Sequence, residues 1–125
     1  MQRAARLILW LLAAIFLFLG LRWVVDPQIA AGALGMPLLD GVGRSTQIGD
    51  ISAFFFGISA LLMLGLQTGR DSWLHAAALL LGLAALMRTL SWLLHDAAFA
   101  APLIAVEVAV ALIILLAGRG RHTAR

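Results

Sequence analysis

Four apolar runs dominate this chain: residues 7–25, 46–66, 73–94 and 97–117. Each is about 20 residues long, about 30 Å as an α-helix, which is the thickness of a bilayer's hydrocarbon core. None alternates with the period of two that a half-buried strand needs, and a barrel strand needs only about ten residues. Without water to satisfy the backbone, helices are the remaining solution. Composition agrees: 63% of the 125 residues are hydrophobic, 12% are charged, and mean hydropathy is +1.03. An ordinary soluble domain is about half apolar and a quarter charged. A soluble enzyme, a disordered chain and a disulfide scaffold are all excluded on that ground. The expected fold class is an all-α, polytopic membrane four-helix bundle forming one domain over residues 1–125.

The first run follows Arg3 and Arg6, as a signal peptide's apolar region does. It continues to Val25, however, and the first cleavage-site candidate, Ile29-Ala30-Ala31, lies beyond Asp26-Pro27. It is read as a retained helix.

Arginine placement sets an expected orientation. Arg3 and Arg6 precede span one, Arg70 lies in the link between spans two and three, and Arg119, Arg121 and Arg125 follow span four. These six fall on one side, against Arg22 and Arg44 on the other, so both termini are expected in the cytoplasm. Trp10 and Trp73 are expected near the inner interface, Trp23 and Trp92 near the outer one. The long connection, 26–45, is then external. Asp26 is a good N-cap, Pro27 a good first helical residue and Gly35 a natural stop. A short surface helix over 27–34 is expected, with Ile29 and Leu34 toward lipid.

The sharpest signal is charge inside the spans, which faces a partner or a cavity when it occurs. Arg88 lies seven residues before His95, hence about 10 Å below the outer end of span three. Glu107 lies about 12–15 Å below the same surface on span four. A very short link makes these spans antiparallel neighbours, so a direct Arg88–Glu107 ion pair is expected. Ser91, Trp92 and His95 continue the Arg88 face at i+3, i+4 and i+7. Span two opens on Arg44-Ser45-Thr46-Gln47-Ile48-Gly49-Asp50, again in the outer half. The expected site is an outward-facing polar pocket lined by Arg88, Glu107, Asp50, Gln47, Trp92, His95 and Arg44.

Each element has a plainer reading. The ion pair fixes helix packing as readily as it binds anything. Ser45, Thr46 and Asp50 suit a helix cap. Arg22 suits snorkelling to the headgroups, and His95 an interface position. Ala53/Gly57, Ala78/Gly82 and Ala101/Ala105/Ala109 recur every four residues and suit close helix packing.

No cofactor or metal is expected. His75 and His95 are twenty residues apart, about 30 Å along one helix, too far to clamp one haem, and one His with a carboxylate is a poor metal site. Cys is absent, which removes thiolate chemistry. No phosphate-binding glycine loop has the right context, and Ser91, His95 and Asp96 share one helix and do not converge on a substrate. No enzyme activity is expected. Nine scattered arginines without a basic stripe give no nucleic-acid surface. The expected partners are membrane lipids, a small amphipathic ligand, a second copy of the chain or a membrane complex. Arg in place of every Lys, with abundant Ala, Leu and Gly, points to a bacterial source.

The segment 41–50, together with Arg88, Thr89, Trp92, His95, Pro102 and Glu107 and four spans in this length, resembles a family of small bacterial inner-membrane proteins defined by a domain of unknown function. The likeness covers residues 7–117. It implies a four-helix membrane bundle and no activity. In outline the chain also looks like the DoxX-like four-helix membrane proteins, an analogy of architecture alone. Three functions from different classes follow: an amphiphile-binding bundle, an accessory subunit of a larger membrane assembly, and a proton-coupled small exporter. For the exporter, size is the only likeness to known small multidrug transporters, because the first span here has no carboxylate.

Overall fold

A computed structural model describes residues 2–122, with side chains over 3–120. Five helices follow in order: α1 (Gln2–Val25), α2 (Pro27–Ala33), α3 (Gly41–Thr68), α4 (Asp71–His95) and α5 (Ala101–His122). No strand occurs among the described residues. All but α2 are long and apolar enough to cross a membrane. α1 packs on α3 and α5, and α4 packs on α3 and α5, so the four long helices close a ring. At most 28% of each span's most apolar window is buried within the bundle. Most of each apolar surface therefore faces outward, which only a lipid environment tolerates at this extent. The chain is an all-α, integral membrane four-helix bundle with a short helix in its first long connection.

One end of the bundle carries the start of α1, the end of α5 and the α3–α4 turn, here the terminal end. The opposite, loop end carries α2, the 34–40 connection and the α4–α5 link. At the loop end Asp26 accepts a hydrogen bond from the Ile29 amide at 3.3 Å, and Pro27 opens α2. Gly35, at φ +75°, turns the chain out of it. Ile29 is exposed as expected, but Leu34 packs inward with Ala30, Ala31 and Trp23. Trp23 is 1% exposed. It is roofed by α2 rather than lying in an interfacial belt, because Ala30 and Ala31 leave room for the indole.

α3 starts at Gly41, five residues before the expected Thr46. Its 28 residues extend about 42 Å, well beyond the hydrocarbon core. Arg44 explains the extra turn: its Nη2 donates to Asp40 Oδ1 at 3.1 Å and its Nε to the Leu39 carbonyl at 2.8 Å, tying the helix start to the preceding chain. At the terminal end Gly69, left-handed at φ 71°, ends α3, and α4 begins two residues later. Asp96, left-handed at φ 55°, ends α4. α5 begins at Ala101, not at residue 97, with Pro102 in its first turn, where the missing N–H costs nothing.

Two close approaches set the helix spacing. A Cβ on Gly20 would stand 2.7 Å from the Phe56 ring, and one on Gly65 would stand 2.6 Å from Leu74 Cδ2. Ser59 Oγ donates to the Ala13 carbonyl at 2.7 Å across α1 and α3. The small residues recurring every four do not serve this purpose: Gly57 and Gly82 have open space where a Cβ would lie, Ala53, Ala101, Ala105 and Ala109 are exposed, and only Ala78 is buried.

The main core lies in the terminal half, around Leu9, Ile58, Leu62, Leu74, Leu81 and Ile114. The smaller loop-end core is built by α1, α2, α3 and the connection between them, with nothing from α4 or α5. Between Ala85 and Ala111 no residue of the α4–α5 hairpin is buried. The two hairpins thus close on each other over the terminal half and share no core over the loop half.

Candidate functional site

The stripe of α4 that enters the core, Leu74, Ala77, Ala78, Leu81 and Ala85, continues by helical spacing to Arg88. The α5 stripe of Ala111, Ile114 and Ala117 leads back to Glu107 by the same rule. The two charged residues therefore occupy the bundle-facing side of the hairpin, in the half where it meets no core from α1 and α3. Arg88 Nε donates to Glu107 Oε1 at 2.8 Å. The side chains are 34% and 12% exposed respectively. This pair is half satisfied. Glu107 Oε2 is buried and has no hydrogen-bond partner. The Arg88 hydrogen bond to protein comes from Nε, while its Nη groups bond no atom among the described residues and stay accessible. Arginine's five-donor fork is therefore used at one tine only.

Depth along the helices adds a second regularity. At 1.5 Å per residue, Asp50 and Arg88 each stand about 28 Å from the α3–α4 turn. The Ser59–Ala13 bond sets the α1–α3 register, which brings Arg22 level with Asp50. Each span carries one ionisable side chain at this level: Arg22, Asp50, Arg88 and Glu107. Arg22 lies 5.9 Å from the centre of the Phe18 ring. Asp50 is exposed. On the α1–α3 side, Phe16, Phe54 and Phe55 form a linked aromatic wall just below this level, with ring centres 6.2 and 5.7 Å apart.

Of the seven residues expected to line one pocket, the structure brings two into contact, Arg88 and Glu107. Gln47 is buried and committed elsewhere: its Oε1 accepts from the Leu39 amide at 2.8 Å and its Nε2 donates to the Pro37 carbonyl at 3.0 Å. It pins the connection to α3. Arg44 is spent on Asp40 and Leu39 in the same tie. Asp50 is on α3 without contact to the ion pair. Trp92 packs against Phe99 of the α4–α5 link with ring centres 4.8 Å apart and planes tilted by 50°, and His95 is exposed at the helix tip. The neighbouring hydroxyls bond their own helix, Thr89 to the Ala85 carbonyl and Ser91 to that of Met87. Of the seven, Arg88 and Glu107 are joined to each other, while Gln47 and Arg44 are bonded to the connection before α3. The polar groups of segment 41–50 are used to fix a connection whose path the sequence did not reveal.

Two recesses are present elsewhere. One, of about 330 Å³, is an apolar groove at the terminal end between α1 and α5, lined by Ala5, Ile8, Ile113 and Leu116 among others. The other, about 40 Å³, lies under α2 beside Trp23 and Arg22. Neither touches the ion pair. Among the described residues no three His, Asp or Glu side chains gather as a metal site.

Comparison with known protein families, with curated proteins and with solved structures finds none that matches this chain. The resemblance drawn from segment 41–50 and the Arg88 set therefore rests on those residues alone.

Proposed function

We propose that this chain is a membrane binding protein for small amphipathic, lipid-like molecules. The acidic or carbonyl head meets Arg88, and the apolar body lies between the α4–α5 hairpin and the aromatic wall of α1 and α3. The observation that carries this reading is the half-used ion pair: a guanidinium anchored through Nε with its Nη groups accessible, on a stripe that faces the other hairpin. A structural pair would be expected to spend its donors on protein. Apolar walls with a few convergent polar groups are the usual recipe of a ligand site.

The arginine distribution supports an orientation. Arg3, Arg6, Arg70 and Arg119 stand at the terminal end, and Arg22 and Arg44 toward the loop end. Arg125 lies outside the described residues, as does the side chain of Arg121. In this reading, which the positive-inside rule favours, both termini lie in the cytoplasm and the ion pair opens toward the outside of a bacterial inner membrane. Membership of the small inner-membrane family that the residue pattern resembles is part of the same proposal and brings no activity with it.

The test is purification in a nonionic detergent followed by mass spectrometry of co-purifying small molecules. The wild type is expected to retain an amphiphile that the folded Arg88→Met/Glu107→Gln double variant loses. Retention by that variant refutes the reading. A second reading, an accessory subunit of a larger assembly, is favoured by the apolar α1–α5 groove at the terminal end. Crosslinking in native membranes separates the two, since a single stoichiometric foreign partner supports the subunit.

A further inference from the structure

Electroneutrality constrains what the Arg88 site accepts. Arg88 and Glu107 together carry no net charge. Glu107 lies on α5, whose neighbours are α4 and α1. From α4 the only charged group facing it is Arg88. From α1 the only ionisable group at that level is Arg22, whose guanidinium is drawn to the Phe18 ring. α3 contributes Asp50 at the same level, exposed and on a helix that is not among the main neighbours of α5. An anionic head on the Arg88 Nη groups would leave the site at a net charge of −1. An uncompensated charge in the membrane interior is costly. The second carboxylate oxygen of Glu107 offers the compensation. Oε1 is engaged by Arg88 Nε, whereas Oε2 is buried without a partner. A buried acceptor without a donor is itself unfavourable. A proton placed there removes that cost, neutralises the carboxyl and supplies an O–H donor beside the guanidinium.

We infer that the site takes monoanionic amphiphiles together with one proton, held on Glu107 Oε2, so that ligand binding and proton uptake are stoichiometrically linked. This rests on Arg88 as the head-group anchor proposed above. No covalent bond changes. The proton comes from solvent, Oε1 keeps its bond from Arg88 Nε, and the new O–H donates to the ligand's anionic oxygen. In net charge the site passes from zero to zero.

The experiment uses the full chain in maltoside micelles with decanesulfonate. This probe stays anionic across the working pH range, so any proton taken up belongs to the protein. Decanol is the uncharged control. Calorimetry in buffers of different protonation enthalpy is expected to show one proton taken up per sulfonate and none with decanol. Sulfonate affinity is expected to tighten about tenfold for each pH unit lowered, the slope that one proton taken up per ligand gives. The Glu107→Gln side chain supplies a neutral donor of the same shape; it is expected to bind sulfonate with no proton uptake and no pH dependence. Infrared difference spectra on the Asp50→Asn background give a second readout that leaves the ion pair intact. Adding sulfonate is expected to produce the carbonyl band of a protonated carboxylic acid. Sulfonate binding without proton uptake, or uptake that persists in Glu107→Gln, overturns the inference and leaves the binding reading standing. No sulfonate binding by the wild type at any pH overturns the binding reading itself. Displacement by phosphatidylglycerol identifies a membrane lipid as the source of the head, and lack of displacement identifies a free single-chain amphiphile; both are occupancy of this site.

Discussion

Adding a single methyl group at Gly65 and at Gly57 should move stability in opposite directions. Both glycines lie within α3, so Gly→Ala gains about 0.8–1 kcal/mol of helix propensity at either position. Their surroundings differ. A Cβ at Gly65 would come 2.6 Å from Leu74 Cδ2 and 2.9 Å from its Cγ, on a side chain that is 0% exposed. The clash involves the branch point as well as the tip, so Leu74 cannot simply swing aside. Overpacking of this kind costs about 1–3 kcal/mol. Gly65→Ala is therefore expected to lose about 0–2 kcal/mol net. At Gly57 nothing lies within 4 Å of the added atom, and the propensity gain stands alone at up to about 1 kcal/mol. Reversible unfolding in mixed micelles, followed by tryptophan fluorescence, measures both. Leu74→Ala should cost about 1 kcal/mol less on the Gly65→Ala background than alone, because it relieves the overlap. If Gly57→Ala proves as damaging as Gly65→Ala, then α3 makes its contacts on a different face and the helix arrangement described above is wrong.

Other perturbations give sharper local signals. Ser59→Ala removes the hydroxyl donor to the Ala13 carbonyl and should cost about 0.6 kcal/mol and no more than about 1.7, by the same unfolding assay. Gln47→Leu strands the Leu39 amide and the Pro37 carbonyl; a loss of about 1–3 kcal/mol is expected, with faster hydrogen exchange at Leu39. Trp23→Ala empties the space beneath Ala30 and Ala31, costing about 3–5 kcal/mol and accelerating exchange through α2.

The spans were legible because long apolar runs have one physical solution in lipid, and turn chemistry placed most of their ends. The Arg88–Glu107 contact was legible for a related reason: a short link forces two neighbouring helices into antiparallel register, and opposite charges at one depth then meet. Gln47 was not legible. Its amide serves a stretch of connection eight to ten residues upstream, and nothing in local spacing shows that the connection folds back on it. Gly41-Val42-Gly43 reads locally as a break, yet the helix runs through it because Arg44 reaches back to Asp40 and Leu39. Small residues every four positions mark a smooth stripe without saying whether a helix or lipid lies against it. Gly20 makes its close contact with no small residue four positions away, and Gly65 has only Gly69, which already lies past the end of α3.

The binding site requires Arg88 and Glu107 to form a direct, partly buried pair on the bundle-facing side of α4 and α5. A double-mutant cycle with Arg88→Met and Glu107→Leu, measured as unfolding free energy in micelles, tests this directly. Each single change strands a charge and should cost about 2–4 kcal/mol, less than a fully buried pair because Arg88 is a third exposed. The double change removes both charges and should cost no more than about 1 kcal/mol, giving a coupling well above the average of about 0.6 kcal/mol for membrane hydrogen bonds. Additive single costs, with coupling near zero, would mean that the two side chains do not meet.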